Sequence, residues 1–190
     1  MLKEPLTSIF DADVVFKNTP VKIVINRNCP EIKLAGLKVG PFQVGKEYEV
    51  KFWIAQELER AGIARFREDE LLDLVKLNKI HWKERVQASQ QVAFLSKDFY
   101  PRLRRYLRNL KMRAIKKPEK MRDYERARRL SQDIINLRLK KLVSLASSRA
   151  QTNQILGNMA EEERVLYDRL HMIIRGWRAK ILKTKGGGET

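Results

Sequence analysis

The chain has 190 residues and carries 40 Lys and Arg against 23 Asp and Glu, a formal charge of +17. That length suits one compact domain or two small ones. A single cysteine excludes an internal disulfide framework, and no apolar run approaches the ~18 residues of a membrane span. The charge is lopsided. Residues 1–80 hold 13 basic and 12 acidic side chains, and residues 81–190 hold 27 and 11. The second part therefore either faces a polyanion or is a solvated basic surface. The opening "MLKEPLTSIFDADVVF" has acids where a signal peptide is apolar, so it reads as mature chain of a soluble intracellular protein.

Residues 1–66 read as short strands and turns. "VKIVI" (Val21–Ile25) alternates through Val21, Ile23 and Ile25, the period of a half-buried strand. "NRNCP" is a turn by composition, and "EIKLAG" places Ile32 and Leu34 on one face. Gly40-Pro41 and Gly45 punctuate the return into "KEYEVKF" (Lys46–Phe52), where Tyr48, Val50 and Phe52 alternate with charges. From Phe52 the spacing turns helical through Ile54, Ala55, Leu58 and Ala61, with Gly62 as a stop. "IARF" (Ile63–Phe66) is a last short strand.

Helices follow. "EDELLDLVKLNKIHW" starts helical, with Leu71, Leu72 and Val75 along one side. Ser96 is the expected N-cap for "KDFYPRLRRYLRNLKMRAI". Pro118 opens a helix expected to reach Ala150, about 50 Å long at 1.5 Å per residue. It carries two apolar stripes, Ala127, Leu130, Ile134, Leu137 and then Ile135, Leu139, Leu142, Ala146. Two stripes call for cover on two sides, from the chain's own bundle and from another chain. "SSRAQTNQILGN" connects, and Asn158 with Glu161 suggests a capping box. The last helix repeats Leu166, Leu170, Ile173, Trp177 and Ile181. The fold class is α+β: a small mixed domain over 1–75, a larger all-α bundle over 76–185 and a disordered tail over 186–190.

Catalytic and metal motifs are not found. His81 and His171 lack partners at ligand spacing, Cys29 lies in a turn without a motif, and the glycines make no phosphate loop. No enzyme activity, catalytic residue, metal or cofactor is expected. The stronger pattern is basic. Thirteen Lys and Arg lie between Arg102 and Arg129 against three acids. Arg102, Arg104, Arg105, Arg108, Lys111, Arg122, Arg126 and Arg129 are the phosphate-contact candidates, with Arg104, Arg108 and Lys111 on one face and Arg122, Arg126 and Arg129 on another. The competing reading is a solvated face whose stems cover apolar surface.

"KVGPFQVGKEYEVKFWIAQELERAGIARF" resembles the small β-rich domain of GINS subunits, in which "GPF" precedes a strand and an aromatic-led helix, here "WIAQEL". "FLSKDFYPRLRRYL", "DIINLRLKKLVSLA" and "MAEEERVLYDRL" resemble the helical GINS domain. The order, small domain first, is similar to the archaeal subunit related to the second and third eukaryotic ones. The resemblance covers roughly residues 10–183. It implies a non-enzymatic replication factor of the cytoplasm, nucleoid-associated. The implied partners are a sister GINS subunit in a two-plus-two heterotetramer, the MCM helicase and a RecJ-like replisome protein. The implied assembly contacts are Leu130, Ile134, Leu137, Leu142, Leu166, Leu170, Ile173 and Trp177, some of which belong to the chain's own core. Direct DNA contact is an inference from charge, not from the resemblance. The alternative is a stand-alone basic nucleic-acid-binding protein.

Overall fold

A strand passes into a helix at Lys51 without any break. Lys51 has extended dihedrals, φ −59° and ψ 141°, and no side chain caps the helix that follows. The Phe52 amide instead donates to Thr19 O at 2.9 Å, so the first strand's entry holds the corner. The computed structural model describes residues 9–34, 36–67, 71–88, 91–148 and 153–183.

In chain order the elements are α1 (Ile9–Lys17), β1 (Pro20–Ile25), β2 (Ile32–Leu34), β3 (Leu37–Val39), β4 (Glu47–Lys51), α2 (Phe52–Arg60) and β5 (Ala64–Phe66). Then come α3 (Leu74–Val86), α4 (Phe99–Lys116), a 3-10 turn (Pro118–Lys120), α5 (Met121–Ser147), α6 (Asn153–Gly157) and α7 (Glu161–Leu182). The sheet runs β4-β1-β5, antiparallel throughout, with Val21 opposite Val50 and Ile23 between Tyr48 and Phe66. β2 and β3 form a separate hairpin. The alternation of Val21, Ile23 and Ile25 puts all three in the core, where they meet Ile54, Ala55 and Leu58 of α2. Gly62, at φ +67°, lets the chain reverse out of α2, and the next amide, from Ile63, reaches Leu58 O.

One element departs from the strand-and-turn expectation for residues 1–66. α1 is helical because Ala12 and Phe16, four apart, bury one face, and the Phe16 ring lies 4.5 Å from that of Phe52. Val14 and Val15 stay exposed, which blurred the periodicity in the sequence. Other boundaries shift. α3 starts at Leu74, with Asp73 accepting from the Lys76 amide at 2.7 Å. Leu71 and Leu72 precede it and pack on different cores, the first on the sheet module and the second on the helical one. α4 starts at Phe99 rather than after Ser96, which gives its carbonyl to the Phe99 amide. Pro118 opens a single 3-10 turn, and α5 itself runs to Ser147. The cap of α7 lies two residues beyond Asn158: the Glu163 carboxylate accepts from the Ala160 amide at 3.0 Å. Residues 186–190, expected as a tail, lie outside the described residues.

The helical part has two apolar clusters. Leu77, Leu95, Phe99, Leu103, Ile134 and Ala160 form one. Val92, Leu142, Leu145, Ala146, Met159 and Tyr167 form the other. α5 runs through both and packs on α3, α4 and α7. The segment 91–96 has no regular structure, yet Val92, Ala93 and Leu95 are buried. It is held by Asn158, whose side-chain amide donates to Val92 O and whose carbonyl accepts from the Leu95 amide. Among the described residues, no helix is long and apolar enough to cross a membrane.

Candidate protein–protein interface

The buried face of α5 is not the one its apolar residues alone define. Ala127, Ser131, Ile134, Arg138, Leu142 and Leu145 face inward, at spacings of four, three, four, four and three. Two of these six positions are polar. Ser131 satisfies itself by donating to Ala127 O at 2.7 Å. Arg138 is 0% exposed and anchors a charge network. Its guanidinium donates to the carboxylates of Glu84 and Glu163, to Ala93 O at 2.8 Å and to Asn158 O at 3.4 Å. Lys141 donates to the Glu84 carboxylate at 2.9 Å and its carbonyl at 2.7 Å, and Tyr100 donates to Glu163 at 2.7 Å. Two cations and two anions thus close in the bundle centre and tie α3, α4, α5 and α7 together. Burial works against the Arg138 charge, but Glu163 and Glu84 outweigh it and hold the guanidinium above its ordinary pKa. Burial and the Glu163 anion push the Tyr100 hydroxyl well up. This network was missed in the sequence. Its only trace is a lone Arg four residues from Ile134 and four from Leu142.

Adjacent arginines on α4 fasten the two parts of the chain. Arg104 donates to Asp13 of α1 at 2.6 Å and to Glu162 of α7 at 3.0 Å. Arg105 donates to Glu59 of α2 at 3.1 Å and lies over the Phe66 ring at 3.9 Å and the Phe52 ring at 4.9 Å. Burial lowers the Arg105 pKa against the pull of Glu59. Arg102 pairs with Asp98 at 2.6 Å. These three phosphate-contact candidates are engaged within the chain. Arg108, Lys111, Arg122, Arg126 and Arg129 are exposed.

Glu162 carries a testable consequence. Its Oε2 is buried and has no hydrogen-bond partner among the described residues. Burial raises its pKa above the ordinary carboxylate value, with Arg104 opposing. The folded state therefore binds this proton more tightly than the unfolded state. Stability from the group is fully present at low pH and falls as pH climbs from the ordinary carboxylate range toward the raised folded value. Thermal melts of Glu162→Gln should show the variant gaining on the wild type as pH rises from about 4 to 7. A pH-independent difference would contradict this.

The interface candidates divide. Ile134 and Leu142 lie in the chain's own core, at 0% and 2% exposure, and have no surface to offer a partner. Leu130, Leu137 and Leu170 are half-buried; Leu130 packs on the first cluster and Leu170 on the second. Leu166, Ile173 and Trp177 are exposed, the last two at 67% and 63%. Ile135, Leu139 and Val143 of α5 and Met172 and Ile181 of α7 are exposed as well. α5 and α7 run in the same direction, since Arg138 meets Glu163 and Ala146 O meets the His171 ring. α5 stops at Ser147, where Arg178 donates to its carbonyl. The last two turns of α7 extend with every residue from 175 to 182 exposed. A second face lies on α3, where Val75, Trp82 and Val86, seven and four residues apart, are exposed with Phe94 nearby in the chain.

Apolar residues are thus left open on α3 and along α5 and α7, outside a charged core, the kind of surface that marks a protein–protein contact. The Sld5 family model, the GINS complex protein helical bundle domain, matches residues 71–182, more than half of the chain. The chain belongs to the family of GINS complex proteins. No curated protein matches it.

Proposed function

We propose that the chain is a non-enzymatic subunit of a GINS complex that scaffolds and stimulates the MCM replicative helicase at the fork. Its type is the archaeal one with the small domain first. It pairs with a sister subunit in a two-plus-two heterotetramer and also meets a RecJ-like protein. The observation that supports this reading is the pair of separate apolar faces, one along α5 and α7 with Trp177, the other along α3 with Trp82. A scaffold must hold at least two partners at once, and one face cannot serve both. The stand-alone nucleic-acid-binding alternative is less favoured, because a monomer gains nothing from leaving this much apolar helix in water.

The test is reconstitution. The chain with its sister subunit is added to purified MCM, and unwinding of a forked duplex is followed. The expected result is co-elution with MCM and faster unwinding, with no nucleotide hydrolysis by the GINS assembly itself. An assembly that forms but neither binds MCM nor changes unwinding would overturn the proposal.

A further inference from the structure

The hairpin tip between α4 and α5 gathers cations that the fold does not use. Between Arg108 and Arg129 there are ten Lys and Arg against Glu119, Asp123 and Glu125. Of the ten, Lys120 alone forms an ion pair among the described residues, with Asp123 at 3.4 Å. All ten are exposed, and only Leu110, Ala114, Tyr124 and Ala127 of this stretch are covered. Arg113, Lys116 and Lys117 complement the negative end of α4, which accounts for three. Arg108 and Lys111 on α4, and Arg122, Arg126 and Arg129 on α5, lie outside that role. They form one row on each arm of the hairpin. Met112, Ile115 and Met121 are exposed among them, which solvation of a charged face does not explain.

We propose that this tip binds the backbone of a nucleic acid, the cations meeting phosphates and the three apolar side chains lying against sugars or bases. α4 runs out to the tip, α5 runs back from it and the two pack on each other, so the cations are strung along two arms and suit a strand rather than a point anion. The engagement of Arg102, Arg104 and Arg105 inside the chain moves the contact away from the body of α4 and out to the tip. The proposal rests on the replication reading only in preferring a nucleic acid to another polyanion. Binding of this kind tracks phosphates and is indifferent to sequence.

The full chain is titrated with a labelled single strand and a labelled duplex across a range of salt. Arg108→Gln with Lys111→Gln, and Arg122→Gln with Arg126→Gln, are compared with Arg175→Gln with Lys180→Gln on exposed α7. Each tip pair should weaken binding about tenfold at 0.1 M salt. It should also flatten log K against log salt by about 1.4 on the single strand and about 1.8 on the duplex, whereas the α7 pair changes little. Equal losses from all three pairs would mean bulk charge alone and overturn the assignment, as would no loss from either tip pair. Poly-glutamate or anionic vesicles that compete as well as DNA, with the same dependence on the tip, would assign the tip to an acidic protein or a lipid surface and overturn it too. Neither MCM nor the sister subunit enters the titration, so this result and the scaffold test fail independently.

Discussion

Arg138→Met should destabilise the chain by about 3–5 kcal/mol, the usual cost of leaving a buried charge without its partner. Domains of this kind have roughly 5–15 kcal/mol in total, so the variant should be largely unfolded at moderate denaturant concentration. The reason lies in what remains. Glu84 would keep Lys141 and the Ala93 amide, but Glu163 would keep only neutral donors, the Tyr100 hydroxyl and the Ala160 amide, and lose its cation, while Ala93 O would lose its donor. Arg138→Lys keeps the charge but cannot fork between two carboxylates and two carbonyls, so it should fall in between. Adding Glu163→Gln to Arg138→Met should restore much of the loss, because Glu84 keeps Lys141 and Glu163 is the anion left without a cation. Denaturant titration of the four proteins checks this. If Arg138→Met unfolds at the wild-type midpoint, the network is open to water and does not set the packing of the four helices.

Ile134→Asp and Trp177→Asp should separate core from interface. Ile134 is fully enclosed by the chain itself, and a carboxylate there has no partner, so several kcal/mol of folding stability should go. Circular dichroism should show the helical signal lost at a lower temperature. Trp177 is largely exposed in the chain. Its replacement should leave the melting curve almost unchanged and cost the assembly about 2 kcal/mol or more, the range of a central aromatic anchor, which is roughly a thirtyfold loss of affinity. Ile173→Asp should behave like Trp177→Asp. If Trp177→Asp melts as early as Ile134→Asp, the end of α7 is part of the fold.

The strands and the strand-to-helix corner were legible because period-two alternation in Val21–Ile25 and Lys46–Phe52 directly reports which face is buried. The helices of the second part were legible for the same reason at their longer period. α1 was not. Ala12 and Phe16 are the buried pair among the described side chains of α1, a weak pattern, and packing on Phe52 decides the conformation. The two stripes of α5 were visible in the sequence, yet their residues could not be sorted, and the second one is split, with Leu142 and Ala146 in the core and Ile135 and Leu139 exposed. Ile134 and Ile135 are adjacent in sequence, one sealed and the other open, and only the position of α3 and α4 distinguishes them. The arginines show the limit most clearly. Arg104, Arg108 and Lys111 share one face of a helix, but Arg104 finds Asp13 and Glu162 from 91 and 58 residues away. No local pattern encodes those encounters.

The central claim is that this chain is one part of an assembly whose partners cover the α5 and α7 flank. Native mass measurement of the full chain, alone and after co-expression with a sister GINS subunit, tests it most directly. The predicted result is self-association or aggregation of the chain alone and a single defined hetero-oligomer with the sister, lost in Trp177→Asp. A monodisperse monomer that stays a monomer in the presence of the sister subunit would contradict it.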